Sequence, residues 1–110
     1  MISKEIFKQQ SRLCQAMGNA ARLEIIHTLR NGPQHVSSLV KAMGLNQSAI
    51  SRHLAVLRNN GLVKVQRQGY EHIYQLASPK IIIICDLFHQ LLAEQITHQA
   101  EVASISAKRA

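Results

Sequence analysis

Gln47, Ser48, Ser51 and Arg52 recur along the stretch LNQSAISRHLAVLRNNGLV, residues 45 to 63, among Ala, Ile, Leu and Val. Each is a side chain that can read or grip a polyanion. Glutamine pairs bidentately with adenine and arginine with guanine in the major groove of B-DNA, whereas serine and backbone N–H groups more often fix phosphates. His53 stands next in line, as a phosphate contact or a residue packed at the groove edge. The bland alternative is that all five form the wet side of an amphipathic helix. A catalytic reading is poorer still: no acid lies nearby to orient His53 against Ser48 or Ser51, and no oxyanion-hole motif follows, so no enzyme is expected.

The second candidate chemistry is that of thiols. Cys14 and Cys85 are the only cysteines and stand 71 residues apart without CxxC spacing, which disfavours a disulfide framework and a classical zinc site and suits a reducing cytoplasm. Both sit on apolar stripes, where a free cysteine commonly packs as a small hydrophobe. The alternative is a switch pair, with Arg12 the nearby cation for Cys14. No secretory signal is visible at the start, and the longest apolar run, Ile81 to Cys85, is far too short to span a bilayer; a soluble cytoplasmic protein without membrane contact is expected.

Charge singles out the segment that would face a polyanion. Residues 30 to 80 hold Arg30, Lys41, Arg52, Arg58, Lys64, Arg67 and Lys80 against Glu71 alone, so seven cations and one acid leave +6 of the chain's formal +7 there. After residue 80, Asp86, Glu94 and Glu101 outweigh Lys108 and Arg109. A basic middle favours nucleic acid as the partner, and a merely solvated basic face is its plainer counterpart.

The elements that position these residues follow from period and punctuation. The chain of 110 residues, 46% apolar, is long enough for one core, and residues 1–110 are read as a single domain. Residues 3–17 form an amphipathic helix with Ile6, Leu13 and Met17 on one stripe, ended by Gly18. Asn19 caps a second helix with Leu23, Ile26 and Leu29 inward, stopping at Gly32-Pro33. A short helix begins at Ser37 or its neighbours, buries Leu39, Val40 and Met43, and ends at a left-handed Gly44. Asn46 then caps the helix that carries Gln47 to Arg52, anchored by Ile50, Leu54 and Leu57 and stopped at Asn60-Gly61; the pair is a helix-turn-helix. Alternation follows, Val63 and Val65, then Ile73 and Leu76, around a turn at Arg67-Gln68-Gly69-Tyr70. This β-hairpin is a protruding wing that offers Lys64, Arg67 and Gln68 to the backbone or minor groove. Ser78-Pro79 opens a last helix, 79–103, striped by Ile81, Ile84, Cys85, Phe88, Leu91, Leu92 and Ile96. The fold class is therefore mainly α with a small β-hairpin, a winged helix-turn-helix. Ile82 and Ile83 make the last helix apolar nearly all round, so it and the first helix are read as a homodimer interface.

With GNAARLEIIHTL, LNQSAISRHLAVLRNNGLV and RQGYEHIYQL in this order, the sequence resembles the ArsR/SmtB family of winged helix-turn-helix repressors over roughly residues 10 to 92. The run Ser51-Arg52-His53-Leu54 followed by Leu57-Arg58 and Gly61-Leu62-Val63 is the most specific part of the match. The resemblance implies a homodimer on a palindromic double-stranded operator, whose grip changes when a metal ion or a thiol-reactive signal binds.

Within that resemblance three sensors compete. The cadmium, lead and arsenic branch has cysteines ahead of the recognition helix where this chain has His35 and Ser37, so its thiolate site is absent. The zinc branch uses the last helix; His98 and Glu101 match one half, but Cys85 and Leu87 stand where Asp and His belong, leaving only a modified Cys85, His98 and Glu101 site shared across a dimer. His98 and Glu101 are otherwise a solvated helix face. A sulfide- and redox-responsive branch works by two cysteines, one on the last helix, and its first would fall near His27. No resident cofactor or metal is expected. The reading is a DNA-binding repressor modulated by thiol or reactive-sulfur chemistry at Cys14 and Cys85; the alternatives are a zinc-type repressor and a winged-helix protein-interaction module without a DNA role. The remaining histidines carry blander readings, His72 in the wing and His27 and His89 as partly buried helix positions.

Overall fold

The computed structural model describes residues 2–109, with side chains through residue 107. Its elements are α1 (Lys4–Met17), α2 (Ala20–Leu29), β1 (Gln34–His35), α3 (Val36–Met43), α4 (Gln47–Asn59), β2 (Val63–Gln68), β3 (Glu71–Leu76) and α5 (Lys80–Arg109). Each boundary has a local cause. The Ser3 hydroxyl accepts from the Ile6 N–H at the start of α1, the Asn19 amide oxygen from the Arg22 N–H at the start of α2, and the Asn46 amide oxygen from the Ala49 N–H at the start of α4, so three helices begin with an otherwise orphaned donor satisfied. Gly44 ends α3 at φ +67, in the left-handed region expected of it.

Gly18 ends α1 for a different reason. Its φ is −82, not left-handed, but an added Cβ there would stand 3.1 Å from the Cys14 carbonyl oxygen, so the position is kept small by close approach. α3 begins at Val36, beside Ser37 as expected, with His35 at the cap position and no side-chain cap bond. Pairing explains this, because Gln34 and His35 are drawn into a short strand against Tyr74 and Ile73 of β3, and the helix starts as soon as that strand ends. The hairpin is therefore the larger part of a three-stranded antiparallel sheet in the order β1-β3-β2.

The core is formed where α2, α3 and α4 converge on the base of the hairpin. Ile25, Ile26, Leu39, Ile50, Leu54 and Leu57 are its largest fully buried side chains, with Leu29, Leu62, Val63, Ile81 and Ala16 completing it. Ile25 takes the inward position expected of Leu23, which is 40% exposed. In the hairpin, Val63 faces Leu76 and Val65 faces Tyr74, so Tyr74 and Leu76 pack on the core side. Ile73 lies on the opposite face, because residues three apart cannot share one face of a strand.

The terminal helices contribute little to this core. Ala16 is the one buried residue of α1, and α5 anchors through Ile81 with Cys85 packed alongside. Replacing Leu54 by Ala is expected to cost about 2 to 5 kcal/mol, as for other fully buried leucines, read from urea unfolding at fixed protein concentration.

Candidate nucleic-acid interface

Helix α4 has two opposed faces. Ile50, Leu54 and Leu57 are fully enclosed on one, while Gln47, Ser48, Ser51 and Arg52 are exposed on the other, in the first two turns. The Gly44-Leu45-Asn46 connection joins α3 to α4, and Leu57 to Val63 run from the core into the wing, so the exposed face is held by buried contacts at both ends. The arrangement leaves short polar groups free at the N-terminal end of a helix whose rear is immobilised, the geometry a helix needs to enter a major groove.

His53 is placed apart from those four residues. It is half-buried, and its Nδ1 lies 3.4 Å from the Nη1 of Arg22 in α2. The contact spans 31 residues, and no local pattern around either residue announces it.

The wing carries its polar groups outward. Lys64, Arg67 and Gln68 are exposed, and β2 and β3 pair in register from Val63 with Leu76 to Gln68 with Glu71. The turn narrows to two residues, Gly69 and Tyr70, with Gly69 at φ +61, a value that spares a side chain from strain only in glycine. Arg67 Nε donates to the Gly69 carbonyl at 3.1 Å, which fixes the guanidinium beside the tip. Tyr70 occupies the tip itself at 98% exposure. From the sequence it is one of four turn residues; at the apex of a two-residue hairpin its ring presents the kind of exposed aromatic face on which bases stack.

Two ion contacts alter the expected charge pattern. Arg30, counted among the cations of the middle segment, binds Asp86 bidentately, with both nitrogen–oxygen distances 3.0 Å, and joins the end of α2 to the first turns of α5. His35 Nδ1 lies 2.9 Å from the Glu71 carboxylate, outside hydrogen-bonding geometry but close enough to pair with it when the imidazole is protonated. Ser37 is exposed.

The thiols occupy unlike environments. Both are free; Cys14 is exposed on α1, while Cys85 is half-buried in a shallow cleft with Leu23, Ile26, His27, Arg30, Ile82 and His89. Burial raises the Cys85 thiol pKa, the Asp86 carboxylate adds to the rise, and Arg30 opposes it. His27, where the two-cysteine branch would have its first cysteine, therefore lines the same cleft as Cys85, although it and His89 are exposed and not partly buried as expected. Along α5, His98 lies thirteen residues beyond Cys85, a rise of about 20 Å, so one chain cannot bring Cys85 to His98 and Glu101. Among the described residues no group of three or more His, Cys, Asp or Glu is placed to hold a metal ion, and no described helix is long and apolar enough to cross a membrane.

A helix-turn-helix with a three-stranded wing, buried behind and polar in front, defines a winged helix-turn-helix domain. Residues 19–65 match the model of the family described as bacterial regulatory protein, arsR family. The regulator NmtR of Mycobacterium tuberculosis is 41% identical over 90 residues, covering 82% of this chain and 69% of NmtR. The transcriptional activator HlyU of Vibrio cholerae is 35% identical over 82 residues, 74% of this chain and 76% of HlyU. Among solved structures, V. cholerae HlyU superposes with a TM-score of 0.73 at 32% identity, covering 81% of this chain and 97% of that one. A homodimeric winged helix-turn-helix DNA-binding domain from Mycobacterium bovis superposes with a TM-score of 0.78 at 27% identity, covering 88% and 93%. The chain belongs to the arsR family of bacterial transcriptional regulators, which is not a family of enzymes.

The Arg30–Asp86 pair gives a pH signature. Its hydrogen bond to Arg30 holds the Asp86 carboxyl below its usual range in the folded chain. The pair's contribution is therefore complete above the ordinary carboxylate pKa of about 3.9 and is lost as pH falls through the lower folded value. Asp86→Asn is expected to lower the thermal midpoint near neutral pH, with the gap from the parent closing in acid; a constant gap across a pH series would contradict this.

Proposed function

We propose that the chain is a homodimeric, sequence-specific DNA-binding repressor. In this reading α4 enters the major groove with Gln47, Ser48, Ser51 and Arg52 against base edges and phosphates, and Lys64, Arg67 and Gln68 of the wing meet the adjacent backbone or minor groove, with Tyr70 at the tip. The observation that carries the reading is the division of α4 into a fully buried aliphatic face and an exposed polar one. The basic residues of α4 and the wing add the electrostatic term that dominates duplex affinity.

The homodimer is supported by what α1 and α5 leave uncovered. Ile6, Phe7 and Leu13 on α1, and Ile83, Ile84, Leu87, Phe88, Leu91 and Leu92 on α5, are all more than 40% exposed, an apolar surface that a second copy would cover. The M. bovis domain with the same fold is described as homodimeric. Twofold symmetry in the protein calls for a palindromic operator, with half-sites about one helical turn or a small multiple apart, and a dimer seated there represses by occluding the promoter.

The effector is assigned to thiol or reactive-sulfur chemistry at Cys14 and Cys85. Both cysteines lie on the helices proposed to form the interface, and one of the HlyU structures sharing this fold is specified as reduced. The exposed Cys14 is the first to react: sulfur transfer from a polysulfide leaves a persulfide there, and attack by Cys85 displaces hydrosulfide and forms a disulfide within or between copies. The raised pKa of Cys85 suits the slower, resolving role.

Nuclease footprinting tests the DNA reading and is expected to give twofold-symmetric protection. Arg52→Ala should reduce discrimination between specific and random duplexes by about 1 to 3 kcal/mol, whereas Arg67→Ala should weaken all sequences alike and reduce the salt slope by about 1. An Arg52→Ala variant that binds specific and random duplexes each as well as the parent does would remove Arg52 from base reading. For the thiols, polysulfide is expected to link Cys14 to Cys85, seen by intact mass, and to release DNA; release that persists unchanged in Cys85→Ser would exclude the switch.

A further inference from the structure

Arg22 sits in the first turn of α2 and reaches two other helices at once. Its Nε donates to the Ala16 carbonyl at 2.6 Å and its Nη2 to the Gln15 carbonyl at 3.3 Å, both at the C-terminal end of α1. Its Nη1 faces His53 Nδ1 on α4 at 3.4 Å. The guanidinium thus caps the carbonyl end of α1, where its charge complements the helix dipole, and its Nη1 points at the middle of the recognition helix. Guanidinium is an obligatory donor, so Nδ1 of His53 must accept, which fixes the neutral tautomer with its proton on Nε2.

We propose that Arg22 and His53 are positioning residues that tie α4 to α1, so that the helix packed against a second copy sets the angle at which Gln47, Ser48, Ser51 and Arg52 meet DNA. The inference rests on the DNA-reading role given above and adds how the dimer surface reaches the reading surface. Of the α1 residues, Ala16 is buried against the body and Met17 packs partly beside it, so Arg22, with two contacts to α1 and one to α4, is the main polar link between that helix and the rest of the fold. A planar fork with directional N–H groups transmits a rotation of α1 to α4, where a sliding apolar contact would absorb it.

The test uses the full-length protein and a duplex enriched by the wild-type chain from a random-sequence library, with a scrambled duplex of equal length as reference. His53→Ala is expected to weaken the enriched duplex about tenfold and the scrambled duplex less than about twofold, the range typical of coupled neighbours. His53→Asn should restore most of the loss, since its amide oxygen can accept where Nδ1 did. In an Arg22→Gln background, His53→Ala should have no further effect; a full tenfold loss there would mean that His53 acts on DNA directly and would overturn the tie. Imidazole nitrogen shifts in the wild-type protein provide a readout that depends on neither variant folding: in the neutral ring of His53 the Nε2–H tautomer is expected, and the Nδ1–H tautomer would overturn the proposal. A wild-type chain that enriches no duplex overturns the DNA-reading role and this inference with it, whereas enrichment with His53→Ala unimpaired overturns the tie alone.

Discussion

Ile50, Leu54 and Leu57 are withdrawn completely from solvent on one side of α4, and that burial decides what the other side can present. A helix of thirteen residues is marginal on its own in water and holds its shape through packing. Once three aliphatic side chains at helical spacing are locked among Ile25, Ile26, Leu29 and Leu39, rotation of α4 about its axis is no longer available. Ser51 and Arg52 between them then point outward, while His53 turns toward Arg22. The wing inherits the same anchor, because Leu62 and Val63 enter the core directly after the turn that ends α4.

The terminal helices obey the opposite condition. With α1 buried only at Ala16 and α5 only near its start, each keeps an apolar stripe that the body is too small to cover. Two polar contacts keep them from being loosely attached: the Arg22 fork on the end of α1 and the Arg30–Asp86 pair at the start of α5. Arg22 lies in the first turn of α2 and Arg30 caps its end, so this short helix is the joint through which either terminal helix bears on the reading body.

Much of this was legible in the sequence, because it depends on local chemistry. Asn19 and Asn46 as caps, Gly44 as a left-handed stop, the three buried positions of α4 and the hairpin turn at Gly69 all follow from patterns a few residues long. The features that escaped it depend on tertiary pairing. β1 is two residues and has no period to detect, yet it makes the hairpin part of a three-stranded sheet. Tyr74 replaces Ile73 on the core side because register, not hydrophobicity alone, chooses the face. Arg22 with His53, and Arg30 with Asp86, join residues 31 and 56 positions apart, and nothing in the intervening sequence points from one to the other. At the candidate interface, the exposed residues of α4 were readable from period; the half-buried setting of His53 was not.

The wing behaves as a ruler with fixed graduations. Six consecutive pairs run from Val63–Leu76 to Gln68–Glu71, closed by only Gly69 and Tyr70. Its reach can therefore change without turning over the tip only by adding or removing two cross-strand pairs together, about 6.8 Å at a time, because faces and pair types alternate along the ladder. A single inserted residue must become a bulge or turn over every side chain beyond it, exchanging the core-facing and outward-facing sets. Descendants of this sequence can vary the chemistry of the tip freely, but its distance from the recognition helix only in discrete steps.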